Sequence, residues 1–292
     1  MADDKPHIDT VTGTATTGHV WDDIRELNTP LPRWWLWLFY LTIVWSIGYW
    51  IVYPAWPLVS SYTKGVFGWQ SRAAVVRDLA ELKELRAPMT TKLAAASLAD
   101  IAADPTLADF TRAQGRATFV ENCAPCHGAG GGGAKGYPNL NDDDWLWGGK
   151  LEQIHQTIQF GIRSGNANAR ESQMPAFGKD NLLKRDEIVT VANFVRSLSG
   201  LSTRPGVDLA AGKKLFADNC AICHGVDGKG NKELGAPNLT DGIWLYSSNE
   251  AAIIDIITNA RGGVMPAWVG RLDPVTIKAL AFYVHTLGGG EK

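Results

Sequence analysis

This chain of 292 residues has little of several things. It has only four cysteines, too few for a disulfide scaffold. It has no excess of one charge: 28 Lys and Arg stand against 30 Asp and Glu, a net of −2. That balance excludes the strongly basic face that nucleic-acid binding needs, so no nucleic-acid partner is expected. Methionine is scarce, with four residues. A Gly-rich stretch at 128–136 lacks the Gly-Lys-Ser/Thr of a phosphate loop. With 45% hydrophobic and 20% charged residues, the chain is not of disordered composition.

Tryptophan, by contrast, is abundant: 12 in all, of which eight (Trp21, Trp34, Trp35, Trp37, Trp45, Trp50, Trp56 and Trp69) fall before residue 70. Trp34 to Tyr53 is a run of 20 residues without a charge. As a helix it would be roughly 30 Å long, the hydrocarbon thickness of a bilayer. Aromatic clusters mark both ends, as expected for rings that settle at the membrane interface. Pro54 and Pro57 follow and stop the helix. A cleaved signal peptide is the competing reading. The run is too long for one, it starts too late, and an acidic tail (Asp3, Asp4, Asp9, Asp22, Asp23, Glu26) precedes it. Residues 34–54 are therefore expected to span a membrane once, after a tail at 1–33. Arg25 and Arg33 before the span and Lys64 and Arg72 after it leave the orientation open.

Residues 55–107 read as a helical connector. Val75, Val76, Leu79 and Leu82 form a helical stripe within Ser71–Arg86, with Pro88 as its end, and Thr91–Ala103 suggests a second short helix. A solvated spacer and a face for a partner subunit both fit this stretch.

The remainder holds one unit twice. Gly115, Phe119, Cys123, Cys126 and His127 recur 97 residues later as Gly212, Phe216, Cys220, Cys223 and His224. Pro138-Asn139-Leu140 and Trp145 recur 99 later as Pro237-Asn238-Leu239 and Trp244. Met174-Pro175-Ala176-Phe177 recurs 91 later as Met265-Pro266-Ala267-Trp268, so the first copy holds about eight extra residues within Ser164–Gln173. Domains at 108–200 and 206–290 follow. Each is small for a self-sufficient core, and a large apolar cofactor would supply the missing interior.

Cys-x-x-Cys-His is the attachment signature of c-type haem: two thiols three residues apart share a helix face, and the adjacent His faces the iron. A redox dithiol would need βαβ periodicity, and a zinc site would leave the repeated Met-Pro unexplained. Two covalently bound haem c groups are therefore expected, on Cys123 and Cys126 and on Cys220 and Cys223, with His127 and His224 as proximal ligands. Met174 and Met265 are the candidate distal ligands. A residue before proline is kept out of the helical region, so each lies on an extended loop. Spacing allows each methionine to serve its own unit or its neighbour's. With both iron positions filled, no substrate site and no catalytic residue is expected. His7, His19, His155 and His285 read as surface or structural. The acidic run Asp142–Asp144 fits a solvated loop or a docking patch for a basic electron carrier.

On these residues both repeats resemble class I cytochrome c domains. With Trp21-Asp22-Asp23-Ile24-Arg25-Glu26-Leu27-Asn28 and Thr29-Pro30-Leu31-Pro32-Arg33-Trp34-Trp35 ahead of the span, the whole chain resembles the membrane-anchored dihaem cytochrome c subunit, subunit III, of cbb3-type oxidases. The resemblance implies an all-α fold, one transmembrane helix and then two class I cytochrome c domains. It implies a non-catalytic electron-transfer subunit of a bacterial inner membrane. Its amino terminus would be cytoplasmic and its haem domains periplasmic. Implied partners are the haem-copper catalytic subunit, a monohaem cytochrome c subunit and a soluble periplasmic cytochrome c as donor. It further implies crossed ligation, Met265 to the first haem and Met174 to the second. Rival readings are an anchored dihaem subunit of a membrane dehydrogenase, a free-standing shuttle, or a dihaem peroxidase, which would need an iron without its distal ligand.

Overall fold

The computed structural model describes residues 7–291. Asp3, Asp4 and the rest of the first six residues of the expected tail lie outside the described residues. The chain divides into two compact units, Met1–Leu85 and Arg86–Lys292.

The first unit departs from an all-α expectation. Strand β1 (Thr16–Trp21) pairs antiparallel with β2 (Ile24–Leu27), with Trp21 opposite Ile24. Asp22 and Asp23 link them with φ of 48° and 68°. Positive φ at both central residues is the mark of a type I′ turn, whose twist matches that of the flanking strands. Helix α1 (Arg33–Val52) follows, 20 residues with none buried. It is the one described helix long and apolar enough to cross a membrane. Proline is pre-organised for the start of a helix, and Pro32 stands at the N-cap. At the other end the chain folds back: Val66 and Phe67 donate their N–H groups to the carbonyls of Ile51 and Val52, each at 3.0 Å. These bonds satisfy carbonyls that a helix end leaves unpaired. Tyr53 meets Phe67 and Trp69 edge-on at 5.5 and 6.3 Å, and Trp50 meets Trp56 at 4.8 Å. The end of α1 is thus an aromatic knot.

Helix α2 (Ser71–Ala95) continues past Pro88 instead of ending there. Proline removes one N–H, and the Ala-, Leu- and Lys-rich flanks carry enough helix propensity to continue past it. Val75, Val76, Leu79, Leu82 and Leu85 on its first part are exposed.

In the second unit, Leu93 near the end of α2 is fully buried, as is Ile101 of α3 (Leu98–Ala103). The far end of the connector is therefore core, not spacer. Helices α4 (Pro105–Asn122), α5 (Ala124–His127) and α6 (Leu151–Phe160) come next. They are followed by α7 (Arg185–Leu198), α8 (Leu209–Asn219), α9 (Ala221–His224), α10 (Glu250–Asn259) and α11 (Pro274–His285). Asp104, Asp208 and Asp273 cap α4, α8 and α11 through their carboxylates.

Two hydrophobic clusters hold these helices, and neither is contiguous in sequence. The first joins Leu107, Phe119, Leu151, Ile154 and Ile158 to Ile277, Leu280 and Val284. The second joins Phe177, Ile188, Val191 and Val195 to Phe216, Ile253 and Ile257. So α11, which closes the second copy in sequence, packs on α4 and α6 of the first copy, while α7 packs on α8 and α10. The copies exchange their closing helices. Where the pairs cross, the repeat places glycine. A Cβ on Gly115 would fall within 2.6 Å of the Tyr283 Cβ, and one on Gly212 within 2.8 Å of the Phe194 Cβ. Phe119 and Phe216, one turn on, are buried against Tyr283 and Phe194, with ring centroids 5.3 and 5.5 Å apart. Gly115→Val should therefore separate α4 from α11 and cost about 3 kcal/mol or more, read as a lowered thermal midpoint. An unchanged midpoint would mean the crossing is not tight.

Candidate haem-binding sites

The two Cys-x-x-Cys-His strings adopt one geometry. Cys123 and Cys220 are N-caps of α5 and α9, with φ of −109° and −113°. The N–H of Cys126 donates to the Cys123 carbonyl at 3.1 Å and that of His127 at 2.9 Å; Cys223 and His224 repeat both values toward Cys220. This single turn sets the two thiols and the imidazole of each motif side by side. Cys126 is exposed and the other three cysteines are half-buried. Burial pushes the Cys123 and Cys220 thiols up to about 11. Among the described residues no three His, Cys, Asp or Glu side chains gather as a metal-binding group.

His127 Nδ1 lies 3.1 Å from the Pro138 carbonyl, and His224 Nδ1 lies 3.1 Å from that of Pro237. With Nδ1–H as donor, Nε2 keeps its lone pair for a metal. Burial lowers the pKa of both histidines, the Pro138 and Pro237 bonds opposing it, which favours the neutral form a ligand requires. The repeated Pro-Asn-Leu is thus a second-layer orienting element. It is held in turn by the glycine-rich loop: Leu140 donates to the Gly131 carbonyl and Leu239 to that of Gly228, both at 2.7 Å.

The methionines are half-buried and lie in opposite clusters. Met265 packs against the first, which also contains Cys123 and Trp145. Met174 packs against the second, with Cys220 and Trp244. Met265 is bridged to Ile162, each N–H donating to the other's carbonyl at 3.0 Å. Each Cys-x-x-Cys-His turn thus has an oriented imidazole and a first cysteine packed in an apolar cluster that also holds a Met-Pro methionine, and these residue types fit a c-type haem with His/Met ligation.

His285 is structural, its Nε2 2.8 Å from the Glu291 carbonyl. His155 is half-buried, and burial with nearby Lys278 lowers its pKa. Sequence reading missed two polar anchors. Asn193, fully buried, donates to Glu250 Oε1 at 2.8 Å and accepts the Arg204 N–H at 2.7 Å. Arg163 is the other; nothing local in the sequence distinguishes it.

Of the acidic run, Asp144 is half-buried. Burial, then the carboxylates of Asp241 and Asp142, raise it to about 6. A carboxyl that ionises near 6 when folded and near 4 when unfolded binds more protons in the folded state between those values. Folded stability from this group therefore falls as pH rises from about 4 to about 6. Asp144→Asn should be more stable than the parent at pH 7 by about 1–2 kcal/mol after solvent screening, with little difference at pH 4. Thermal unfolding at both pH values checks this, and a variant less stable at pH 7 would contradict it.

Comparisons with known proteins agree with this donor set. The N-terminal domain of cytochrome oxidase-cbb3, FixP, matches residues 13–60. The family described as cytochrome c oxidase, cbb3-type, subunit III, matches residues 111–195 and again 207–284. The cbb3-type cytochrome c oxidase subunit FixP of Bradyrhizobium diazoefficiens is 66% identical over 288 residues, 99% of both chains. The FixP subunit of Azorhizobium caulinodans is 60% identical, covering 97% of this chain and 96% of the relative. The CcoP subunit of Cereibacter sphaeroides is 50% identical, over 94% and 95%. Its hairpin, apolar helix and paired cytochrome c repeats all fall within these matches: the chain belongs to the cbb3-type cytochrome c oxidase subunit III (FixP/CcoP) family.

Proposed function

We infer that the chain is the dihaem electron-transfer subunit of a cbb3-type oxidase, passing electrons from a soluble periplasmic cytochrome c toward the oxygen-reducing, proton-pumping subunit. The observation that carries this reading is the doubled donor set: two Cys-x-x-Cys-His turns, each His held by a proline carbonyl, each with its first cysteine in a cluster that holds the other repeat's Met-Pro methionine. Cys123 and Cys126 hold the first haem c as thioethers and His127 ligates its iron; Cys220, Cys223 and His224 do the same for the second. When bound, haem c supplies one-electron iron chemistry. Met265 completes the first iron and Met174 the second; the support is that each methionine packs in the cluster of the other repeat's Cys motif. With one histidine and one methionine as protein ligands, each haem would have a raised reduction potential and would leave no place for a substrate. The subunit relays electrons and leaves oxygen chemistry to its partner.

In sequence the layout is a tail to residue 33, a span at 34–54, a connector to 107 and cytochrome c repeats at 108–200 and 206–290. The span anchors the chain in the inner membrane with the amino tail cytoplasmic and the haem domains periplasmic. The two Cys-x-x-Cys-His motifs support this, because c-type haem is attached outside the cytoplasm. The neighbours in the complex are the haem-copper subunit and a monohaem cytochrome c subunit.

The test is oxygen uptake by the complex purified from membranes. Reduced cytochrome c should support it in the parent, and the Cys220→Ala, Cys223→Ala double variant should lose most of it. A chain that purifies without copper and b-type haem would favour a dehydrogenase subunit or a free shuttle instead.

A further inference from the structure

Arg163 is the first residue after the Ile162–Met265 bridge, and it holds φ of 51°, a left-handed conformation that is costly for any side chain but glycine. Its guanidinium has two partners on two different loops. Nε donates to the Gly263 carbonyl at 2.8 Å, and Nη1 donates to the Ser172 carbonyl at 2.7 Å. Gly263 stands two residues before Met265, and Ser172 stands two residues before Met174. The two carbonyls are therefore equivalent positions of the repeat, 91 residues apart, bonded by one planar fork.

The fork exists in one copy only. Helices α6 and α10 are related by an offset of 99, which carries Arg163 onto Gly262. Gly262 lies directly beneath the arginine: a Cβ there would come within 3.1 Å of Arg163 Nε and 3.4 Å of its Cδ. One repeat supplies the arginine and the other the space for it to cross between the methionine loops.

We propose that Arg163 is a positioning residue that clamps both methionine loops at once and so couples the axial ligation of the two irons. The inference rests on the His/Met reading of both haems. Charge-assisted hydrogen bonds from one fixed fork restrain each loop against swinging its thioether away. Their loss should open both sixth positions together, although Arg163 belongs to one repeat.

The experiment uses the full-length chain carrying its haems, in detergent. Carbon monoxide binding by the reduced form reports an open sixth position, and the far-red methionine–iron band of the oxidised form reports a closed one. Arg163→Ala is placed in a Met174→His and, separately, in a Met265→His background, so that one methionine-ligated iron remains in each. In both backgrounds the fraction binding carbon monoxide should rise about tenfold, the factor that corresponds to losing one charge-assisted hydrogen bond per loop. Arg163→Lys, a point charge that cannot bridge both carbonyls, should give a smaller rise. A rise in one background only, or in neither, overturns the coupling. If Arg163→Ala yields no holoprotein, Gly262→Val decides: it displaces the guanidinium from the other side and should raise binding in both backgrounds, and unchanged binding overturns the proposal. A parent chain that already binds carbon monoxide at both irons, without a far-red band, would overturn the His/Met reading itself and the coupling with it.

Discussion

Met265→His should lower the potential of the haem attached to Cys123 and Cys126, a hundred residues and more upstream, and leave the haem on Cys220 and Cys223 nearly unchanged. Histidine in place of a thioether removes the ligand that favours ferrous iron. The expected drop is on the order of 0.2 V, a fraction of the about 0.8 V that axial ligands span. The direction follows from ligand chemistry; the address follows from packing, because Met265 lies with Cys123 in one cluster and Met174 with Cys220 in the other. Potentiometric titration of the full-length chain resolves the two centres. Cys220→Ala, Cys223→Ala and Cys123→Ala, Cys126→Ala partners of the variant identify which one moved. A drop confined to the Cys220 haem would mean each methionine serves its own repeat.

Cutting the chain after Pro205 should destroy the first haem domain as well as remove the second. Contiguous domains would survive such a cut. Here α11 supplies Ile277, Leu280, Phe282 and Val284 to the first cluster, each no more than 4% exposed. Four such side chains at about 1.5–3 kcal/mol each sum to about 6–12 kcal/mol, comparable with the whole stability of a typical domain. Lys278 goes too, and with it the bonds from its Nζ to the carbonyls of Leu93, Ala94 and Ala96 that close the end of α2. The isolated 206–292 fragment fails for the matching reason, since α8 loses α7 and the Phe194 contact to Phe216. Limited proteolysis and haem content of the truncated chains measure both. A protease-resistant 1–205 fragment retaining one normal haem would contradict the exchange.

The candidate donor residues stand out in the sequence because chemistry fixes their spacing: thiols at i and i+3 with His adjacent, and Met before Pro, leave few alternatives. The span was legible from 20 residues without a charge. The hairpin at residues 16–27 was not, because Asp22-Asp23 is a weaker turn signal than Asn-Gly and Trp21 faces no alternating run. The passage of α2 through Pro88 was not, because a proline's local penalty was outweighed by buried residues beyond it, Leu93 above all. The exchange of α7 and α11 was invisible for a different reason. Periodicity marks which face of a helix is apolar but not which helix covers it, and both repeats present near-identical glycines at 115 and 212 to near-identical partners. Arg163 carried no local signal because its role depends on two carbonyls nine and a hundred residues away.

The most direct measurement is the intact mass of the full-length chain, isolated from membranes, denatured and treated with a thiol-alkylating reagent. The account expects the polypeptide plus two haem groups and no alkylated cysteine, because Cys123, Cys126, Cys220 and Cys223 are all consumed as thioethers. A mass with one haem or none, or with any of the four cysteines alkylated, would contradict it.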